Sequence, residues 1–398
     1  MWDRIVVTGL GVVCAIGPDV RGFWKGLLGS IVGTAPVRGF DVTGLSVDVA
    51  CEVAHPDGTV PTGLERATRA TELASTAAAQ AIVDSGQNPE SLCRAGAGIV
   101  IGTTMGEVGA IEAAYVGDPR HQVLRDGLVG GQDIIARRLA AQIGLPGPRW
   151  TLSNACAAGN YAIIKAAECI AQGHAEVMIA VGVDALSWVA YSGFHALRIL
   201  ARQRCQPFDR NREGLVLGEG AGALMLERAQ AARQRGAVIY GEILGYGLSC
   251  DAHHIAQPDS CGAGAAAAMR RALANARISP DAVDYICAHG TGTRNNDRAE
   301  AMAIHDVFGP RAARLPTSSI KAQLGHTLGA ATAIEAIACV LSLRDDVIPA
   351  TCNFETLDPD CPLDVVPNTP REARINIILN NGYAFGGNNS SIVLKAYD

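Results

Sequence analysis

Lysine is nearly missing from this 398-residue chain. Only Lys25, Lys165, Lys321 and Lys395 stand among its 33 basic residues, so each draws notice. With a net charge of −6 there is no excess of cations to grip a nucleic-acid backbone. No uninterrupted apolar stretch reaches the roughly 18 residues of a membrane span. The opening Met1-Trp2-Asp3-Arg4-Ile5-Val6-Val7 lacks the basic-then-apolar order of a signal peptide. No C-x-x-C pair occurs and the cysteines have no zinc-like spacing, so no metal site is expected. Gly9-Leu10-Gly11 has neither the third glycine nor the acidic partner of a dinucleotide fingerprint. A reducing, cytoplasmic setting suits twelve cysteines scattered through hydrophobic segments.

What is present is alanine, glycine and alternation. Aromatics make up 5% against 48% hydrophobic residues, a balance suited to close helix–sheet packing. Short apolar strands alternate with helical periodicity, which predicts an α/β fold around a buried sheet. Strands are expected at Ile5–Thr8, Gly98–Ile101, Trp150–Leu152 and Val177–Val183. A second series follows at Val238–Leu244, Tyr285–Ala288, Leu315–Ser318 and Ile375–Leu379. The intervening helices include Thr68–Asp84, Asp133–Ile143, Ala263–Ala276, Glu300–Val307 and Leu328–Leu343. Both series run in the same order, so the chain reads as a duplicated unit. One half covers residues 1–236 and carries Cys156; the other covers 237–398 and carries His289 and His326. In such a fold four strand ends converge on one crevice.

Cys156 stands in Thr151-Leu152-Ser153-Asn154-Ala155-Cys156-Ala157-Ala158-Gly159-Asn160, just ahead of an apolar helical run. At a helix N-terminus the unpaired N–H groups and the dipole favour thiolate over thiol. On local sequence alone it reads equally as nucleophile or as core cysteine. Cys14, Cys93, Cys169, Cys287 and Cys339 read as core.

Three further segments follow strands: His289-Gly290-Thr291-Gly292-Thr293; Lys321-Ala322-Gln323-Leu324-Gly325-His326; and Gly382-Tyr383-Ala384-Phe385-Gly386-Gly387-Asn388-Asn389. Two imidazoles facing a cysteine suit acyl transfer from a thioester, with the rings donating to an oxyanion or enolate.

Taken in order, these motifs resemble the elongating β-ketoacyl-ACP synthases. Pro207-Phe208-Asp209 and Gly218-Glu219-Gly220-Ala221-Gly222 add to the likeness. The resemblance spans nearly the whole chain. It implies a thiolase-like fold, a duplicated five-layered α-β-α-β-α domain, normally dimeric. It also implies that Cys156 takes the acyl chain and that His289 and His326 bind the malonyl carbonyl. Backbone N–H groups of Cys156 and Phe385 would form the oxyanion hole, and Lys321 with Glu300 a supporting pair. Thr291 and Thr293 would contact the phosphopantetheine arm, Phe385 would gate the acyl pocket, and Asn389 belongs to the substrate site. No cofactor is implied beyond that arm of the acyl carrier protein. A thiolase would bring a second catalytic cysteine, and an initiating synthase an asparagine in place of one histidine.

Asn154 and a short Gly102–Gly130 region depart from the fatty-acid pattern. They point to the ketosynthase of a type II polyketide or polyene pathway, paired with a chain-length-factor-like subunit. Fatty acid elongation as a homodimer is the alternative. A cysteine-dependent acyl hydrolase and a non-catalytic partner subunit are the remaining readings. Carrier proteins are acidic, so docking is expected among Arg66, Arg69, Arg125, Arg137, Arg138, Arg202 and Arg204.

Overall fold

A computed structural model describes residues 4–55, 57–60, 68–115 and 131–397. Five strands of a ten-stranded sheet come from the first part of the chain: β1 (Ile5–Cys14), β2 (Gly98–Gly102), β3 (Arg149–Leu152), β4 (Val177–Asp184) and β5 (Gly220–Arg228). Five come from the second: β6 (Gly241–Cys250), β7 (Tyr285–Cys287), β8 (Thr317–Ser318), β9 (Ile377–Tyr383) and β10 (Asn388–Lys395). Outward from the centre the first set runs β1-β5-β4-β2-β3 and the second β6-β10-β9-β7-β8, the same order advanced by five. The directions repeat as well. β2 lies parallel to β3 and β4, and β5 runs antiparallel to β4 and β1. β7 likewise lies parallel to β8 and β9, and β10 runs antiparallel to β9 and β6. The sets meet where β1 pairs antiparallel with β6, Ile5 opposite Ile243 and Val7 opposite Gly241.

Helices make the other layers. α1 (Arg69–Asp84) and α2 (Ile134–Ile143) cover the outer face of the first set, and α3 (Ala158–Ala171) starts beside Cys156. α4 (Trp188–Ala196) follows β4. α5 (Ala263–Ala276) and α6 (Arg294–Phe308) cover the outer face of the second set. α3 and α7 (Ala331–Asp345) share one core with inward residues of both sets, such as Met178, Leu224, Ile378 and Ile392. The result is the expected α-β-α-β-α stack. Every residue of α7 from Ala331 to Leu343 is buried, as a helix enclosed on all sides requires.

Glycine makes this closeness possible. A Cβ on Gly9 would stand 2.2 Å from the Ala81 carbonyl oxygen, and one on Gly11 1.9 Å from that of Ala77. Gly9-Leu10-Gly11, beyond the end of the expected strand Ile5–Thr8, lies instead in the middle of a ten-residue strand against which α1 packs. α6 begins at Arg294, six residues before the expected Glu300, and its first turns support the His289 loop. The expected division at residues 236 and 237 falls between the helix Ala229–Gln234 and β6. Of the cysteines read as core, Cys93 is exposed; the other four are buried. Among the described residues no helix is long and apolar enough to cross a membrane, and no group of acidic, histidine and cysteine side chains forms a metal cluster.

Candidate active site

After β3 the chain turns through Ala155, which takes the left-handed φ of +47° that a side chain larger than glycine's rarely adopts. The 3-10 turn Ala155–Ala157 then runs into α3 and sets Cys156 at the head of the helix. Cys156 is 5% exposed. Burial pushes its thiol up to about 12; the Lys321 charge and the N–H groups of Cys156 and Phe385 pull it down, while Asp184 pushes it further up. The expected gain from the helix N-terminus is thus outweighed by desolvation, and Cys156 is a thiol that must give up its proton as it reacts.

His289 follows β7. Its loop is held from below by two carboxylates of α6. Glu300 accepts from the His289 and Gly290 N–H groups, each at 2.8 Å. Asp297 accepts from Thr291 N–H at 3.1 Å and Gly292 N–H at 3.2 Å. Such a loop needs glycine at 292, where φ is +76°. The Thr291 and Thr293 hydroxyls lie 2.9 Å apart. Burial raises the Glu300 carboxyl to about 7, although the two amides favour its charge.

His326 follows β8 and a short helical turn. Its own N–H donates to the Val216 carbonyl at 2.6 Å, and its carbonyl accepts from Gly218 N–H at 3.0 Å. Nδ1 accepts from Leu328 N–H at 3.2 Å, so the neutral ring carries its proton on Nε2. The two imidazoles lie 5.4 Å apart, nearly perpendicular at 84°. Burial, and then the Lys321 charge, holds both well below the usual histidine range; the neighbouring His326 adds to the shift of His289. Both rings are neutral at physiological pH.

Lys321 does not pair with Glu300 as expected. Its ammonium bonds Glu335 on α7, and both side chains are 1% exposed. Glu335 is the one charge within the buried stretch of α7, and a buried charge persists only when paired. Lys321 and Glu300 therefore act as separate supports, one electrostatic and one gripping a loop backbone. Asp184 is a third, unforeseen from sequence. It accepts from Thr104 N–H at 2.7 Å, Met105 N–H at 2.9 Å and Gly329 N–H at 2.6 Å, tying the end of β2 to the His326 loop. Behind Cys156, Asn160 and Asn380 exchange bonds at 3.2 and 3.0 Å, linking α3 to β9.

Phe385 stacks on Phe194 with ring centres 5.6 Å apart. It precedes Gly386 and Gly387, at φ of +78° and +76°. Asn389 donates to Asp251 at 2.7 Å. Cys156, His289, His326, Thr291, Thr293, Phe385 and Asn389 all line one cavity of about 320 Å³. Its mouth adds Arg198 and Arg294, both exposed. Arg294 adjoins the Gly-Thr-Gly-Thr motif and could have been found from it; Arg198 carries no local signal.

The expected docking arginines scatter. Arg69 is no docking residue: it is buried, 3.1 Å from Glu219, and donates to the Val53 carbonyl at 2.6 Å. Arg137 and Arg204 are exposed but pair with Asp133 and Glu355. Arg202 is exposed and Arg138 half-buried. Arg66 and Arg125 lie outside the described residues.

Comparison with known proteins gives a consistent picture. The family model described as beta-ketoacyl synthase, N-terminal domain matches residues 3–232, and that for the C-terminal domain matches 240–355. Nodulation protein E of Rhizobium meliloti (strain 1021) is 39% identical over 402 residues, covering 98% of this chain and 99% of the relative. The 3-oxoacyl-[acyl-carrier-protein] synthase 2 of Coxiella burnetii is 36% identical over 408 residues, covering 98% of each. The structure titled the ishigamide ketosynthase/chain length factor superposes with a TM-score of 0.92 at 39% identity, covering 100% of both chains.

Proposed function

Because the chain belongs to the beta-ketoacyl synthase family of condensing acyltransferases, we propose that it extends a Cys156-bound acyl chain with a malonyl unit carried on acyl carrier protein. One observation carries this assignment of roles: Cys156, His289 and His326, from three strand ends and both halves of the fold, line a single cavity.

The steps follow from the chemistry of each group. Cys156 sulfur attacks the acyl thioester, its proton passes to the departing phosphopantetheine thiol, and the acyl chain is left on Cys156. The Cys156 and Phe385 N–H groups, which favour negative charge on the sulfur, also suit the oxyanion of this step. Malonyl thioester then binds with its carbonyl oxygen on the histidines. His326 donates from Nε2, because Nδ1 already accepts the Leu328 N–H. The bond to the carboxylate breaks, carbon dioxide leaves, and the electron pair becomes an enolate held by both rings. The enolate carbon attacks the acyl-Cys156 carbonyl. As the new carbon–carbon bond forms, the carbon–sulfur bond breaks, and sulfur leaves with its electron pair as a thiolate that takes a proton from solvent to restore the thiol. Phe385 would gate the acyl end, and Thr291, Thr293 and Asn389 would flank the arm.

For the pathway, we take the type II polyketide or polyene reading, with a chain-length-factor-like partner. The 39% identity to a ketosynthase titled with such a factor supports it. A cytoplasmic site is part of this reading, supported by twelve free cysteines. Intact-mass spectrometry tests the core claim. Acyl carrier thioester alone should leave one acyl adduct on Cys156, and added malonyl-ACP should discharge it as a chain two carbons longer. Release of free acid without malonyl would mark a hydrolase instead. Full activity of the purified chain alone on long saturated acyl-ACPs would move the pathway to fatty acid elongation as a homodimer.

Arg198 and Arg294 at the mouth are the cations best placed to meet the acidic carrier and the phosphate of its arm. Charge reversal of both should cut acyl transfer from carrier protein about tenfold or more and change transfer from a short pantetheine thioester less than about twofold. Equal losses with both donors would remove them from docking.

A further inference from the structure

Of the polar side chains that line the cavity and that the proposed steps leave unused, Tyr383 is the buried one; Glu213, Asp251, Gln257, Asn295 and Asn296 are half-buried or exposed. Tyr383 ends β9, opposite Asn389 on β10, and lines the cavity while only 7% exposed. Its ring meets that of His289 edge to face, with centres 5.8 Å apart. Its hydroxyl is buried without a hydrogen-bond partner among the described residues, and so is Nδ1 of His289. An orphan buried hydroxyl costs stability, and native proteins rarely keep one without a use. Here two orphans belong to adjoining rings in the wall of one cavity.

We propose that the Tyr383 hydroxyl donates a hydrogen bond to the carboxylate of the malonyl unit while His289 and His326 hold its thioester carbonyl. This rests on the condensing reading above and adds a specificity-determining contact to it. Malonyl presents two polar groups, and once the histidines take the carbonyl, the carboxylate needs a donor beside them. Tyr383 is the neighbour with a donor to spare. Burial, together with the Glu300 and Asp251 carboxylates, keeps its phenol protonated and therefore a donor. A neutral donor also suits the chemistry. The reaction disperses the carboxylate charge, so a full cation at that point would hold the ground state more tightly than the transition state. The cations lining the cavity, Arg198 and Arg294, are out at its mouth, and Lys321 is engaged with Glu335.

Tyr383→Phe removes one oxygen and keeps the ring against His289. KM for malonyl-thioester decarboxylation should rise about tenfold, the scale of losing one bond to a charged group. Acylation of Cys156 by an acyl thioester, which involves no carboxylate, should change less than about twofold. The melting temperature should hold or rise, because Phe deletes an unpaired buried hydroxyl. A KM within about twofold of the unaltered enzyme would overturn the proposal. So would a fall in melting temperature with both half-reactions slowed together, since that marks a structural tyrosine. Failure of the unaltered enzyme to form any acyl adduct on Cys156 would sink the condensing reading itself, and this contact with it.

Discussion

Cys156→Ala stops chain elongation and leaves malonyl-thioester decarboxylation running. The substitution removes only the sulfur, from a side chain 5% exposed at the head of α3. Without it no acyl-enzyme forms, and elongation should fall by at least about 10⁴-fold, the scale seen when a nucleophile is deleted. The rings of His289 and His326 keep their supports. Glu300 still accepts from the His289 loop, and Leu328 N–H still fixes the His326 tautomer. Decarboxylation of malonyl thioester, followed as carbon dioxide release, should therefore stay within about threefold of the unaltered enzyme. A tenfold fall would mean that the thiol takes part in breaking the malonyl carbon–carbon bond, and the division of labour drawn here would be wrong.

Much of this arrangement was legible because it is local. A strand end followed by a glycine-bearing turn can be read in a few letters, and three such ends, two of them carrying a histidine, meet Cys156 in one cavity. What sequence hid is long-range pairing. Glu335 looks like one polar letter in an apolar helix until Lys321, 14 residues earlier, is found bonded to it. Arg69 looks like a surface cation until Glu219, 150 residues away, takes it inside. Glycine misled in another way. The expected strand stops at Thr8, before the glycines of β1, and glycine-rich β5 is not among the expected strands at all, yet glycine stands in both because a helix lies against the strand. A Cβ on Gly222 would be 2.9 Å from the Ile334 nitrogen of α7. The thiol was misjudged for a related reason. The helix N-terminus is visible in sequence, but the desolvation that outweighs it comes from residues scattered along the chain.

The second large effect is on the histidines, and its pH dependence separates the buried pair from ordinary imidazoles. His289→Ala or His326→Ala should cut decarboxylation by about 10²–10³-fold, the cost of removing one donor from a developing oxyanion. Alkylation of Cys156 by iodoacetamide should continue in both. In the unaltered enzyme the neutral His326 ring is the working form, because protonating Nδ1 destroys the acceptor for Leu328 N–H. Were its pKa the usual 6.5, lowering the pH from 7.5 to 6.0 would cost about fourfold in activity. Burial and the Lys321 charge hold it well below that value, so the acid limb of decarboxylation lies lower and the rate should stay flat across this window. The sign of the Lys321 effect gives a second check. Lys321→Met with Glu335→Gln removes the charge without stranding a buried carboxylate. The histidines then bind protons more readily, and the acid limb moves to higher pH. Cys156 loses a stabilising cation in the same variant, so its alkylation at a fixed pH slows. An inflection near pH 6.5 in the unaltered enzyme would show that burial and Lys321 together do not depress His326, and an acid limb unmoved by the double substitution would show that Lys321 contributes nothing to it.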